Sequence, residues 1–68
     1  MTNKERLEFI QKHHPQLYGL IEMNVPFAVE NVDCITQDDI FECNRYVDLY
    51  CKNIDDPQLF QTLLFKNN

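Results

Sequence analysis

Four carboxylates are crowded into the stretch DCITQDDIFE, residues 33–42, and closely spaced carboxylates are typical ligands of calcium and magnesium. They are Asp33, Asp38, Asp39 and Glu42. A calcium-binding EF-hand loop needs alternating oxygen ligands, a central glycine and a terminal glutamate, whereas this stretch lacks that spacing and has no glycine. The stretch does fit a helix start, because Thr36 can cap a helix whose first turn carries two aspartates. The sequence therefore favours a capped, acidic helix over a metal site.

The other residues that could perform chemistry are two histidines and three cysteines. His13 and His14 are adjacent, so on a helix their side chains point about 100° apart. Cys34, Cys43 and Cys51 are separated by eight and seven residues, whereas zinc sites usually place two to four between cysteines. A Cys–His nucleophile pair needs a substrate cleft, for which a chain of 68 residues has little room. We expect no catalytic residue, no metal and no cofactor.

Composition restricts the compartment and the class of partner. The 68 residues, of which 44% are hydrophobic, suffice for one small domain that spans 1–68. A net charge of −5 argues against nucleic acid or an anionic membrane as partner, because both attract cationic surfaces. The chain has no membrane-length apolar run and no signal-peptide pattern. Together with an odd number of cysteines, which indicates reduced thiols, this predicts a cytoplasmic protein.

Start and stop signals in the first half of the chain predict two helical regions. Thr2 opens a capping box, and the apolar stripe behind it is interrupted by Pro15, which lacks the backbone N–H. This pattern predicts a kinked or two-piece first helix. Asn24 and Pro26 then mark the start of a short second helix, with the asparagine as its cap and the proline in its first turn.

The second half of the chain predicts three more helices. Thr36 caps the third, residues 44–53 form the fourth, and Asp56 and Pro57 begin the fifth. No segment alternates with period two for long enough to form a strand. The predicted fold is therefore all-α, a compact bundle of about five short antiparallel helices. Burial in its core should be led by Leu7, Ile10, Leu17, Ile21, Phe27, Phe41, Val47, Tyr50, Phe60 and Leu64.

Charge is unevenly distributed along the chain. Residues 1–14 carry a net charge of +1, whereas residues 22–56 carry −7. The acids are concentrated in the second and third predicted helices, and five of the six bases lie in the first and fourth. One interpretation is a solvated surface with chance clustering. The other is a molecule with a positive and a negative face, which would dock head to tail and could assemble into chains or filaments.

Three stretches, ERLEFIQKHHPQLYGLIE, VPFAVENVDCITQDDIFE and RYVDLYCKNIDDPQLFQTLL, follow one another in an order that resembles a caspase-recruitment domain (CARD). The CARD belongs to the death-fold superfamily, and the resemblance covers nearly the whole chain. Its closest parts are CITQDDIFE, which matches an acid-rich and Thr-capped third helix, and FQTLL of residues 60–64, which matches the core stripe of the fifth.

The resemblance implies a protein partner, either another death-fold domain or a second copy of this chain. In that family a positive patch on helices one and four meets a negative patch on helices two and three of a neighbour. A chain limited to this domain would act as a decoy or regulator of apoptotic or inflammatory signalling. The rival interpretation is a small acidic inhibitor of viral or phage type that binds one unrelated host protein. The resemblance assigns Arg6, Lys12, Arg45 and Lys52 to the positive face, and Glu30, Asp33, Asp38, Asp39 and Glu42 to the negative face.

Overall fold

The computed structural model of the chain describes residues 1–67, and within them it contains five α-helices, one 3-10 helix and no strand. The all-α bundle predicted from the sequence is confirmed. The helices are α1 (Asn3–His13), α2 (Pro15–Asn24), α3 (Pro26–Glu30), α4 (Gln37–Ile54) and α5 (Pro57–Leu63), and the 3-10 helix is Val32–Cys34.

Both predicted capping boxes are present. The Glu5 backbone N–H donates to Thr2 Oγ1 at 3.1 Å, and the Thr2 N–H donates to Glu5 Oε1 at 2.9 Å. The hydrogen bond from this backbone N–H lowers the pKa of Glu5. At the start of α4, the Asp39 N–H donates to Thr36 Oγ1, and the Thr36 N–H donates to Asp39 Oδ2, both at 3.2 Å. These reciprocal bonds satisfy backbone donors that a helix start leaves without partners.

Pro15 divides the first helical region into two helices, as predicted. His14 lies between them, and Pro15 occupies the first turn of α2, where its missing N–H costs nothing. The prediction that Asn24 caps the next helix is wrong, because its amide donates to the Leu20 carbonyl at 2.8 Å. Val25 precedes α3 without a side-chain cap, and Pro26 begins that helix.

The predicted third and fourth helices are a single helix, α4, of 18 residues. The sequence analysis predicts a helix start at Asn44, but no proline or glycine interrupts the chain around it. The buried positions Ile40, Cys43, Val47 and Cys51 continue one helical stripe past it. α4 packs against α2, α3 and α5, and it ends at Asp55, which adopts a left-handed conformation with φ of 58°.

The predicted core is only partly correct. Leu7, Ile10, Leu17, Ile21 and Val47 are buried, while Tyr50, Phe60 and Leu64 are half-buried. Phe27 and Phe41 were expected inside but are 47% and 66% exposed. In α3 the neighbouring Ala28 takes the inward position, and in α4 the inward positions are held by Ile40 and Cys43. The buried apolar residues outside that leading set are Val25, Ala28, Val32, Ile35, Ile40, Cys43, Cys51, Leu63 and Phe65.

Candidate protein-docking surface

Arg6, the first residue assigned to a positive docking face, lies inside the molecule and is only 4% exposed. Its guanidinium donates from Nη1 to Asn3 Oδ1 at 2.7 Å, from Nη2 to the Met1 carbonyl at 3.2 Å, and from Nε to the Thr62 carbonyl at 3.3 Å. Burial lowers the pKa of Arg6, because desolvation disfavours the charged form. The expectation that this cation is displayed to a partner is therefore wrong, since its donors are engaged within the chain.

Arg6 belongs to a buried polar cluster that holds the C-terminal segment, residues 64–67. The Phe65 N–H donates to Asn44 Oδ1 at 2.7 Å, and Asn44 Nδ2 donates to the Phe65 carbonyl at 3.0 Å. Asn3 makes the same pair of hydrogen bonds with Lys66. Its Oδ1 accepts from the Lys66 N–H at 3.0 Å, and its Nδ2 donates to the Lys66 carbonyl. We call Asn3, Arg6 and Asn44 the amide clamp. It satisfies four consecutive backbone groups while the Phe65 side chain, 3% exposed, enters the core.

The other three predicted cations are at the surface. Lys12 lies in the last turn of α1, and Arg45 and Lys52 lie on α4. Arg45 Nη1 is 3.5 Å from Glu42 Oε2, and Lys52 Nζ is 3.3 Å from Asp48 Oδ2. Glu42 was assigned to the opposite, negative face, yet it pairs with Arg45 within one helix. The structure therefore does not place these charges on two separate faces.

The predicted acidic residues occupy three different elements. Glu30 ends α3, Asp33 lies in the 3-10 helix, and both are exposed. Asp38 and Asp39 lie in the first turn of α4, but only Asp38 is exposed, since the Asp39 carboxylate accepts the hydrogen bonds of the capping box. Asp38 is therefore the acid of this turn that a partner could pair with at no cost to the helix cap.

The side of α4 that points away from the core exposes two large apolar side chains. Phe41 is 66% exposed and Leu49 is 50% exposed. They lie eight residues apart, which places them about 12 Å apart along the helix axis and about 80° apart around it. Charged residues surround them at helical spacing. We call this surface the outer face of α4, and it consists of Asp38, Phe41, Glu42, Arg45, Asp48, Leu49 and Lys52.

Two of the three cysteines, the residues that could act as nucleophiles, are buried. Cys43 is buried, and desolvation raises its pKa to about 12, so its thiol stays protonated and is a weak nucleophile. Cys51 is also buried, lines a depression of about 280 Å³ between α4 and α5, and has a raised pKa. His14 Nδ1 is 2.9 Å from the Tyr50 hydroxyl. Across residues 1–67, no three His, Cys, Asp or Glu side chains are grouped so as to hold a metal ion.

Sequence reasoning missed the amide clamp, although one signal was present. Asn44 is a polar residue on the edge of the buried stripe of α4, beside Ile40 and Cys51 on the helix surface. A polar side chain that is partly buried beside a core stripe favours a hydrogen-bond partner in the protein, so its position indicated a contact with another segment. The partner lies 21 residues away along the chain, and nothing in the local sequence identifies it.

No helix described within residues 1–67 combines the length and the apolar composition that crossing a membrane requires. Comparison with known proteins gives no match to a protein-family model, to a curated protein or to a solved structure.

Proposed function

We propose that this chain is a non-catalytic protein–protein interaction module that docks through the outer face of α4. The observation that carries the proposal is the exposure of Phe41 and Leu49 on one side of the longest helix. Exposed apolar side chains rimmed by charged residues are typical of binding surfaces, because contact with a partner removes them from water. The surrounding charges would fix the orientation and register of that partner.

α4 is well suited to present such a surface, because its own structure does not depend on the exposed residues. Its start is fixed by the capping box of Thr36 and Asp39, and its inner side is anchored by the buried stripe. A helix held in this way arrives at a partner already ordered, which reduces the entropy lost on binding. The outer face would then contribute its apolar area and its charges with little rearrangement.

The specific form of the proposal is CARD-like docking with another death-fold domain or with a second copy. In this form the chain is a cytoplasmic decoy or regulator of apoptotic or inflammatory signalling. The Thr36-capped acidic helix start supports it, because that stretch carries the resemblance. The continuous α4 departs from what the resemblance implies, since the family has separate third and fourth helices. Docking would accordingly use one helix with both signs of charge.

Site-specific photo-crosslinking tests the proposal. A photoreactive phenylalanine derivative is placed at position 41 of the full chain, and the same derivative at position 23 serves as the control. Met23 is 79% exposed on α2, so both sites present the probe to solvent. We expect covalent adducts with one or a few proteins from position 41 and few from position 23, with adduct formation lost in the additional variant Leu49→Glu.

The identity of the adduct separates the forms of the proposal. A death-fold domain or a second copy supports CARD-like docking, whereas one unrelated protein supports the acidic-inhibitor interpretation. Equal labelling from positions 41 and 23, or none from position 41, would contradict docking through α4.

A further inference from the structure

A depression between α4 and α5 borders the outer face of α4. Its volume is about 280 Å³, and Asp48 and Lys52 belong both to its lining and to the outer face. The apolar part of its lining consists of Cys51, Pro57 and Phe60. Pockets for small-molecule ligands usually measure roughly 300–1,000 Å³, so this depression suits one long side chain better than a cofactor. A partner on the outer face of α4 would reach it from the same surface.

The charged part of the lining is mainly acidic. It consists of the carboxylates of Asp48, Asp55 and Asp56 and the ammonium group of Lys52, so three negative charges against one positive give −2. Lys52 Nζ is 3.3 Å from Asp48 Oδ2, whereas among residues 1–67 no cation forms an ion pair with Asp55 or Asp56. The depression also lies at the C-terminal end of α4, where the helix dipole is negative.

The negative potential extends to the buried part of the depression. Cys51 is 4% exposed, and the pKa of its thiol is raised first by desolvation and then by the charges of Asp56 and Asp48. A ligand with a negative charge would be disfavoured there for the same reasons as the thiolate. A cation on an apolar stem is complementary to both the acidic and the apolar parts of the lining.

We infer that the partner which docks on the outer face of α4 inserts an arginine side chain into this depression. The inference rests on the proposed function and names a chemical feature of its partner. The methylene groups of the arginine would pack against Pro57 and Phe60. Its planar guanidinium can stack on an aromatic ring while it donates hydrogen bonds to carboxylates, which the compact ammonium group of lysine cannot do in the same way.

Two carboxylates are the candidate acceptors for this guanidinium. Asp55 is exposed and has no ion pair within residues 1–67. Asp56 Oδ1 already accepts from the Leu59 N–H at 3.1 Å, so its Oδ2 is the atom that would receive the partner. Asp55 can therefore be changed without removing the cap of α5. Asparagine tolerates the left-handed conformation that Asp55 adopts, so Asp55→Asn removes the charge and keeps the turn.

Titration of the full chain with N-acetyl-arginine amide, followed by ¹H–¹⁵N NMR, tests the inference. The matched ligand is N-acetyl-citrulline amide, in which a neutral urea group replaces the guanidinium. We expect arginine to give saturable shifts at the amides of residues 48–61 with a millimolar dissociation constant, and citrulline to give none. Asp55→Asn should weaken arginine binding about threefold, as expected for one exposed ion pair. Asp33→Asn removes the same charge from an exposed site in the 3-10 helix and should leave binding unchanged.

The same two variants connect the depression to the partner. With the photoreactive probe at position 41 and the partner below saturation, adduct yield should fall about threefold in Asp55→Asn and stay at the parent level in Asp33→Asn. The inference is overturned if citrulline or N-acetyl-lysine amide binds as well as arginine, or if Asp55→Asn binds or crosslinks as well as Asp33→Asn.

Failure of the inference and failure of the proposed function give different results. A chain that crosslinks from position 41 and shows no arginine shifts at residues 48–61 overturns the inference and leaves the proposed function standing. A chain that binds arginine at residues 48–61 and forms no adducts from position 41 supports the arginine site and overturns docking through α4.

Discussion

The amide clamp and the outer face of α4 depart from the usual distribution of residues in opposite ways. The clamp buries an arginine and an asparagine, Arg6 and Asn3, at 4% and 6% exposure. The outer face exposes a phenylalanine and a leucine, Phe41 and Leu49, at 66% and 50%. The burial of the clamp is explained by contacts within the molecule, because its polar groups have hydrogen-bond partners there. Contacts within the described residues do not explain the exposure of the two apolar side chains on the outer face. This difference is why we assign a role in folding to the clamp and propose a role in binding for the outer face.

The two regions also differ in the strength of their polar contacts. The Asn44–Phe65 hydrogen bonds join a side chain to a backbone segment in a partly buried environment. If one partner is removed there, the other loses its hydrogen bond without regaining full hydration. The ion pairs of the outer face are different, because the side chains of Arg45 and Glu42 are 57% and 42% exposed. Water and salt screen such pairs, and they contribute little to folding.

The largest contrast is expected between two phenylalanine truncations. Phe65→Ala removes a side chain that is 3% exposed, and it should lower the free energy of unfolding by about 3–5 kcal/mol. Phe41→Ala removes a side chain that is 66% exposed and should change it by less than about 0.5 kcal/mol. Urea denaturation monitored by circular dichroism measures both. Comparable losses in the two variants would show that the C-terminal segment is not packed as described.

Within the clamp, Asn44→Ala deprives the Phe65 N–H and carbonyl of their partners. We expect a loss of about 2 kcal/mol in the free energy of unfolding, less than full burial would impose because the segment can move toward water. Asn53→Ala is the matched control, since Asn53 is exposed on the same helix and gains the same helix propensity. Thermal denaturation of the two variants decides the point, and equal melting temperatures would argue against the clamp.

Alkaline pH should weaken the fold through the buried thiols. The pKa of Cys43 is raised from 9.0 to about 12, chiefly by desolvation and secondarily by Asp39 and Glu42. Below pH 9 both the folded and the unfolded chain keep this proton. Between pH 9 and about pH 12 the unfolded chain loses it and the folded chain retains it, so stability falls as pH rises.

Cys43→Ala should therefore show a shallower loss of stability over that pH range than the parent. Cys34→Ala, which removes an exposed thiol, should keep the slope of the parent. The measurement is the urea midpoint of each variant as a function of pH. A parent slope in Cys43→Ala would mean that this thiol titrates normally.

The smallest effect on stability is expected on the outer face itself. Arg45→Ala removes an exposed ion pair at 3.5 Å, and the free energy of unfolding should change by less than about 0.5 kcal/mol. Arg6→Ala is the counterpart in the clamp, where the Met1 and Thr62 carbonyls would lose the guanidinium and Asn3 Oδ1 would lose one of its two donors, and there the loss should be several times larger. Similar melting temperatures for the two arginine variants would erase the distinction between the regions.

Local signals predicted most of the helix boundaries. Thr2 and Thr36 act within three residues of themselves, and Pro15 removes a hydrogen bond at its own position, so adjacent sequence suffices to recognise them. Asp56 likewise caps α5 by accepting from the Leu59 N–H at 3.1 Å. The clamp could not be predicted in this way. Asn3 and Lys66 meet across 63 residues, and such a contact depends on how the helices pack.

The prediction of two charged faces assigns each charge to a predicted helix, and one of those helix boundaries is absent from the structure. Counting acids and bases by predicted helix separated Glu42 from Arg45, because a boundary was drawn at Asn44. Because α4 is continuous, Glu42, Arg45 and Lys52 lie on one helix, and acids and bases alternate there instead of forming two opposed faces. The prediction that Arg6 is exposed was wrong for another reason. A long cationic side chain is usually exposed, and its burial here is explained only by its hydrogen bonds in the clamp. The exposure of Phe41 was missed because hydrophobicity alone does not tell which side of a helix faces the core.

The most direct test of the division between folding and binding is photo-crosslinking from position 41 in two variants whose helical fold is checked by circular dichroism. Leu49→Glu changes the outer face of α4, and Asn44→Ala changes the clamp. We expect Leu49→Glu to form no adducts although it unfolds at nearly the same urea concentration as the parent. Asn44→Ala should keep the adducts although it unfolds at a lower urea concentration. Adducts that persist in Leu49→Glu, or that disappear from folded Asn44→Ala, would contradict the assignment of binding to the outer face of α4 and of folding to the clamp.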